Sequence, residues 1–316
     1  MKALALLPAF VLSGVIVAAQ TNRSTVFRGG TELVSLNVVV TDPQQKFVTG
    51  LSQGDFSVFE DGVQQDLSFF SASAVPIDLA ILLDTSASMT DKMKTVQEAA
   101  AGFASSIRPG DRVTVIDIKD GVRVVHPLSE DLAGAHEAIR RTTARGSTSL
   151  YNGLYMTLKE LAKNRRGNGE VRREAIVVLS DGEDTSSLLS FEDVMDVAKQ
   201  SGVAIYTITL KSPYLVRMAR LSGSRSFSES EFAIKSLAQE TGAKAYTPME
   251  VTELAGVYDS IAKELASQYS LGYTPKNPRA GGTYRRVIVR VGQPGASTRT
   301  RAGYVAPRAQ QAPRVR

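Results

Sequence analysis

The sequence predicts an α/β protein with a doubly wound, mostly parallel, Rossmann-like sheet, flanked by a small β domain built from N- and C-terminal strands. Three observations carry this. Residues 77–83, 175–179 and 203–210 are nearly unbroken apolar runs, as strands buried on both faces require. Stretches with apolar residues three to four apart alternate with them, the mark of helices that cover such a sheet. Short alternating runs rich in β-branched and aromatic residues stand before residue 76 and after residue 266.

The elements follow in order. Residues 33–40 alternate, turn continuously apolar, and stop at Asp42-Pro43. Phe56–Phe59 is a strand, and Asp61-Gly62 marks a hairpin because glycine supplies the positive φ of a tight turn. Leu67–Phe70 is expected as its return strand. After the buried run at 77–83, Met93, Val96, Ala100, Phe103 and Ile107 line one face of a helix that Pro109-Gly110 stops. Arg112–Ile118 and Gly121–His126 read as a hairpin, and Leu132–Ile139 and Leu150–Leu161 as helices. The run at 175–179 is followed by a helix at Phe191–Lys199, a strand at Val203–Leu210, a helix at Phe232–Gln239, a short strand at Ala243–Tyr246 and a long helix at Val251–Leu265. Tyr269–Tyr273, Arg286–Val291 and Thr298–Tyr304 return to β character and complete the N-terminal β unit across the central domain. The serine-rich, basic stretch Pro213–Glu231 reads as a loop or insertion. The expected division is a signal peptide at 1–19, an N-terminal β unit at 20–75, the α/β domain at 76–266, a C-terminal β unit at 267–305 and a disordered tail at 306–316.

Composition removes several function classes. Hydrophobic residues make up 43% of the 316, enough to bury a sizeable core. The chain has no cysteine, which excludes disulfides, zinc–thiolate sites, thiol nucleophiles and lipid attachment through an N-terminal cysteine. With His126 and His136 the only histidines, a three-histidine zinc site cannot be built. The net charge of +5 is spread thinly, and the pairs Arg172–Arg173 and Arg285–Arg286 do not make a dense basic run, so no nucleic-acid partner is expected. Lys2, the uncharged run Ala3–Ala19 and small residues at Val17-Ala18-Ala19 predict a secretory signal cleaved after Ala19. Pro8, Gly14 and short length weaken the rival, an uncleaved anchor. The expected location is therefore periplasmic or secreted, with no membrane span after cleavage.

The candidate chemistry gathers at strand ends. Asp84-Thr85-Ser86-Ala87-Ser88 closes the first buried run, Gly146-Ser147-Thr148-Ser149 opens the helix at 150, and Ser180-Asp181-Gly182 closes the run at 175–179. Ligands of doubly wound sheets sit at that rim. Carboxylates and hydroxyls suit a hard cation. Serine and aspartate are also ordinary helix-capping residues, so the first segment alone is a moderate signal.

Together, D-x-S-x-S, a loop threonine and Asp-Gly after a strand resemble the metal-ion-dependent adhesion site of von Willebrand factor A domains, over about residues 76–266. The five motif positions are Asp84, Ser86, Ser88, Thr148 and Asp181. The resemblance implies direct metal binding by Ser86 and Ser88, and by Thr148 directly or through water. Asp84 and Asp181 would act mostly through water or hold the hydroxyls. It implies Mg²⁺, or Mn²⁺ or Ca²⁺, and a protein partner that offers a carboxylate to the ion. Glu183 and Asp184 read better as a solvated loop. The flanks Leu51–Gly62, Glu240-Thr241-Gly242, Gln268–Tyr273 and Ala302-Gly303-Tyr304 resemble the von Willebrand factor A-related proteins of Acidobacteria.

Catalysis is not expected. The sequence has no Walker loop, no G-x-G-x-x-G after the first strand and no G-x-S-x-G, and the second aspartate of dehalogenase-type phosphoryl transfer is replaced by Ser86. His126 and His136 read as surface or packing residues. A hydrolase is the lesser alternative, and a non-catalytic envelope scaffold without metal-dependent ligand binding is the other. Tyr151 and Tyr155, one turn apart, can rim a partner site, although packing is the commoner fate of such residues.

Overall fold

The computed structural model describes residues 33–72, 75–168, 172–181, 183–211, 229–277 and 281–306. The signal-peptide expectation, the tail from 307 and most of the 213–231 stretch lie outside them.

The central sheet is built from β5 (Ile77–Asp84), β6 (Arg112–Ile118), β7 (Val122–Ser129), β8 (Arg173–Ser180), β9 (Ala204–Thr209) and β10 (Ala245–Tyr246), in the order β10-β9-β8-β5-β6-β7. All neighbours are parallel except the edge strand β7, which returns antiparallel on β6. Every residue of β5, β8 and β9 is buried, which explains their continuous apolar sequence. Helices α1 (Met93–Ser105), α2 (Leu132–Arg140) and α6 (Leu254–Ser267) cover one face, packing on Leu79, Ile81 and Leu83. Helices α3 (Leu150–Asn168), α4 (Phe191–Ser201) and α5 (Glu229–Glu240) cover the other, packing on Ala80 and Leu82. From β5 the chain builds outward through β6 and β7, then crosses to β8 on the other side. The strand order therefore reverses beside β5, where such sheets form a ligand crevice.

A β-sandwich sits at the opposite end. One sheet has the order β13-β1-β11-β4, made of β13 (Ser297–Arg299), β1 (Val34–Thr41), β11 (Tyr269–Tyr273) and β4 (Leu67–Ser71). The other has the order β14-β12-β2-β3, made of β14 (Gly303–Val305), β12 (Tyr284–Val291), β2 (Phe56–Glu60) and β3 (Val63–Gln65). The strict alternation of β12 puts Val287 and Val289 against Leu36, Val38, Val58 and Leu271 in a shared core. Residues on both sides of the α/β domain thus close one unit, as expected.

Several expectations need correction. The return strand of the Asp61-Gly62 hairpin is Val63–Gln65, not Leu67–Phe70. The latter run pairs with β11 in the other sheet, because its apolar Phe70 reaches the ring of Tyr269 at a centroid distance of 6.2 Å. The predicted strand Thr298–Tyr304 is two strands in different sheets, β13 on β1 and β14 on β12. Helix α3 runs past Leu161 to Asn168. Its polar last turns are held by Arg165, which bonds to Glu174 and, at 2.8 Å, to the Ser201 carbonyl. Residues 229–231 open α5 rather than closing a loop, and Ala306 is buried in the sandwich core rather than in a tail.

Candidate functional site

β5 and β8 end side by side at the crevice, and their last residues face each other across it. The Asp84 side chain is fully buried. Its Oδ1 accepts the Ser86 N–H at 2.9 Å, and its Oδ2 accepts the Ser180 hydroxyl at 2.6 Å. The first bond forces the chain to turn immediately after the strand. A 3-10 turn at Ala87–Lys92 follows and leads into α1. That turn brings the Ser86 and Ser88 hydroxyls within 3.0 Å of each other. Ser86 is buried and Ser88 exposed, so the pair spans from the crevice floor to solvent.

The threonine loop is laced to this turn through the backbone. Ala87 N–H donates to the Gly146 carbonyl at 2.9 Å, and Arg145 N–H to the Thr85 carbonyl at 2.8 Å. Gly146 has φ 74°, a conformation that costs an L side chain, and a Cβ there would strike the Asp120 carboxylate. Asp120 in turn accepts the Ser147 N–H at 2.8 Å and its hydroxyl at 2.9 Å. Thr148 is buried. Its N–H donates to Thr185 Oγ1 at 2.9 Å, and its carbonyl accepts Thr185 and Ser186 N–H at 2.9 and 3.0 Å. These are backbone bonds, so they fix Thr148 without using its hydroxyl.

The third loop is fastened to α3. Asp184 accepts the Tyr151 N–H at 2.7 Å and the Ser187 N–H at 2.9 Å. It is half-buried and satisfies the first turn of α3, which corrects its reading as a solvated loop residue. Glu183 is exposed, as expected. Asp181 is half-buried beside Asp84, and Gly182 lies outside the described residues. Tyr151 packs on Phe191 at 6.0 Å, and Lys159 lies 5.2 Å over the Tyr155 ring, so both tyrosines serve packing along α3. His126 is buried with Nε2 3.0 Å from the Ser129 hydroxyl, and His136 lies on α2. Neither histidine is among the crevice residues.

The three loops therefore bring Asp84, Ser86, Ser88, Thr148 and Asp181 to one rim. The electrostatics there are one-sided. Burial pushes the Asp84 carboxyl up, the negative charge of Asp181 adds to this, and the bonds from Ser180 and Ser86 oppose it. Among the described residues neither carboxylate has a salt bridge. Nor do they contain a group of three or more His, Cys, Asp or Glu side chains able to hold a metal ion, so an ion at this rim needs the hydroxyls as well.

Sequence reasoning missed two supports. Ser180 reads as an ordinary strand-end serine, yet its hydroxyl orients Asp84. Asp117, fully buried in β6, accepts the Thr85 hydroxyl and ion-pairs with Lys119 at 2.8 Å and Arg123 at 2.9 Å. Lys119 also donates to the Thr143 carbonyl at 3.3 Å, so this network holds both loops from below. The sequence offered only an aspartate inside the apolar run at 113–118, two residues before a lysine.

Comparison with known proteins agrees with this fold. A protein of the UPF0353 type from Mycolicibacterium paratuberculosis is 26% identical over 200 residues, 58% of this chain and 59% of that protein. An uncharacterized protein of Synechocystis sp. is 33% identical over 112 residues, 34% of this chain and 26% of its own length. The chain thus spans about a quarter and about three fifths of these curated relatives. Among solved structures, a von Willebrand factor type A protein from Catenulispora acidiphila superposes with a TM-score of 0.50 at 12% identity, covering 89% of this chain and 76% of that one. The family model described as von Willebrand factor type A domain matches residues 78–241, from the second residue of β5 to the residue after α5. The chain belongs to the von Willebrand factor type A domain family.

Proposed function

We propose that this protein is an exported, non-catalytic binding protein that holds a divalent cation at the β5–β8 rim and, through it, a carboxylate of a partner protein. The observation that supports this is the desolvated Asp84 beside Asp181, with hydroxyls at hand and, among the described residues, no salt bridge to balance them. An oxygen set of this kind fits a hard ion such as Mg²⁺, Mn²⁺ or Ca²⁺. Ser86 and Ser88 would hold the ion directly and Thr148 directly or through water, with Asp84 and Asp181 fixing the hydroxyls or bonding through water. The ion supplies Lewis acidity for an acidic side chain of the partner. The protein's own part is to keep the loops in place before the ion arrives, which the backbone lacing does. Among the described residues no helix is long and apolar enough to cross a membrane. Export rests on the N-terminal sequence.

Thr148→Ala separates the two binding events. The variant should keep Mg²⁺ affinity within a fewfold of wild type while losing most of a chelator-sensitive interaction with partner protein in pull-down. Equal loss of both, or no loss of either, contradicts the role given to Thr148. Partner capture that ignores chelator altogether would favour the scaffold alternative.

A further inference from the structure

A second polar site lies at the other end of the α/β domain. Asp78 is the second residue of β5, and Arg112 and Arg173 start β6 and β8, whereas Asp84 and Ser180 end β5 and β8. At about 3.3 Å per residue the six steps from Asp78 to Asp84 put the two ends ~20 Å apart. Between these strand starts and the sandwich is a cavity of about 380 Å³, against the roughly 10–15 Å³ that a single water needs. Its walls carry five arginines and two acids, an excess of three positive charges.

The acids are already committed. Arg112 and Arg172 both bond to Asp78, and Arg165 bonds to Glu174. Arg173 donates from Nε to the Val75 carbonyl and from Nη1 to the Leu265 carbonyl and Gln268 Oε1. Arg301 differs. Among the described residues its side chain has no ion pair and no hydrogen bond, and its Nε is buried without a partner. It lies over the Tyr304 ring at 5.0 Å, which softens its charge but does not neutralise it. Gly202, with φ 72°, ends α4 so close by that a Cβ would sit 3.1 Å from Arg301 Nη1. The negative end of that helix is taken by Arg165, through the Ser201 carbonyl. Burial and then the charge of Arg165 push the guanidinium down from its ordinary range.

Two more polar atoms near Arg301 lack partners, Asn37 Oδ1 and Thr300 Oγ1. With Arg301 they line a void of about 10 Å³, the size of a single water. A water there satisfies polar atoms but leaves the charge uncompensated. Even half-buried, such a charge costs more to desolvate than a polar group. We propose that the cavity between the sandwich and the N-terminal ends of the parallel strands binds an oxyanion, a phosphoryl or carboxylate group, held by Arg301. A planar guanidinium suits either group by paired N–H bonds. The remaining volume takes the rest of a small molecule.

The test is calorimetric titration of inorganic phosphate into the full chain, with chelator present and ionic strength held by chloride. Saturable binding is expected for wild type, and at least tenfold weaker binding for Arg301→Gln. Acetate in a parallel titration separates the two headgroups, the tighter of the pair naming the ligand class. Binding of neither anion, or equal affinity in Arg301→Gln, overturns the proposal. Circular dichroism checks that the variant is folded. If it is not, Arg301→Lys takes its place: it keeps the charge but loses the paired N–H geometry, and unchanged phosphate affinity in that variant is equally fatal.

Discussion

Asp84 pays for its position and gains only when something positive arrives. It is buried, faces a second carboxylate, and is held by two hydrogen bonds that only partly offset this. The neutral isostere relieves the repulsion and keeps an acceptor for the Ser86 N–H, while the Ser180 hydroxyl can turn to accept. Asp84→Asn should therefore melt at or above the wild-type temperature in chelator. Addition of Mg²⁺ should raise the melting temperature of wild type and leave that of the variant unmoved. A variant that melts well below wild type in chelator would show that the charge itself holds the fold. The rim residues were legible in the sequence because Asp84, Ser86 and Ser88 stand together after one apolar run, Asp181 follows another, and Thr148 completes the pattern that the family resemblance implies. Ser180 and Asp117 were not, since a strand-end serine and a buried aspartate look ordinary until their partners, Asp84 and Thr85, are placed beside them.

At the scale of elements, the rim depends on where α3 begins. Its first turn is fixed by Asp184 through the Tyr151 N–H, and the preceding loop by Gly146 and Asp120. Gly146→Ala puts a Cβ against the Asp120 carboxylate and forces φ 74° on a residue that resists it. The expected cost is about 1–2 kcal/mol from the backbone alone, read as a lower denaturant midpoint. Metal affinity should fall as well, because Ala87 hangs from the Gly146 carbonyl. Loss of stability with unchanged metal binding would mean that the threonine loop is not part of the site. Helix and strand identity was readable from periodicity. Pairing was readable for the β6–β7 hairpin but not for Leu67–Phe70, which is as apolar as a hairpin return strand should be, and only the distant β11 shows why it belongs to the other sheet.

The whole molecule is held by contacts between its two ends. In β1, Leu36 pairs with Leu271 of β11, and in β2, Val58 pairs with Val289 of β12, so neither sandwich sheet exists until the α/β domain has been crossed. Glu60 is the clasp. It is buried and accepts the hydroxyls of Tyr273 at 2.7 Å and Tyr304 at 2.8 Å, and Arg285 Nη1 at 2.8 Å. Glu60→Ala leaves Arg285 buried without its acid and should cost about 3–5 kcal/mol, measured by chemical denaturation. Glu264 joins the sandwich to the domain by accepting the Tyr206 hydroxyl at 2.7 Å and pairing with Arg299 at 2.6 Å. Loss at Glu60 should therefore lower a single shared transition. A separate, early transition for the sandwich would contradict this coupling. None of this clasp was legible in the sequence, because Glu60 stands more than two hundred residues from Tyr273, Arg285 and Tyr304.

The central claim is that the β5–β8 rim is a cation site, and calorimetric titration of Mg²⁺ into chelator-treated protein, beside Asp84→Ala, tests it most directly. The account predicts saturable one-site binding in wild type and none in the folded variant. Absence of binding in wild type, or equal binding in both proteins, would contradict it.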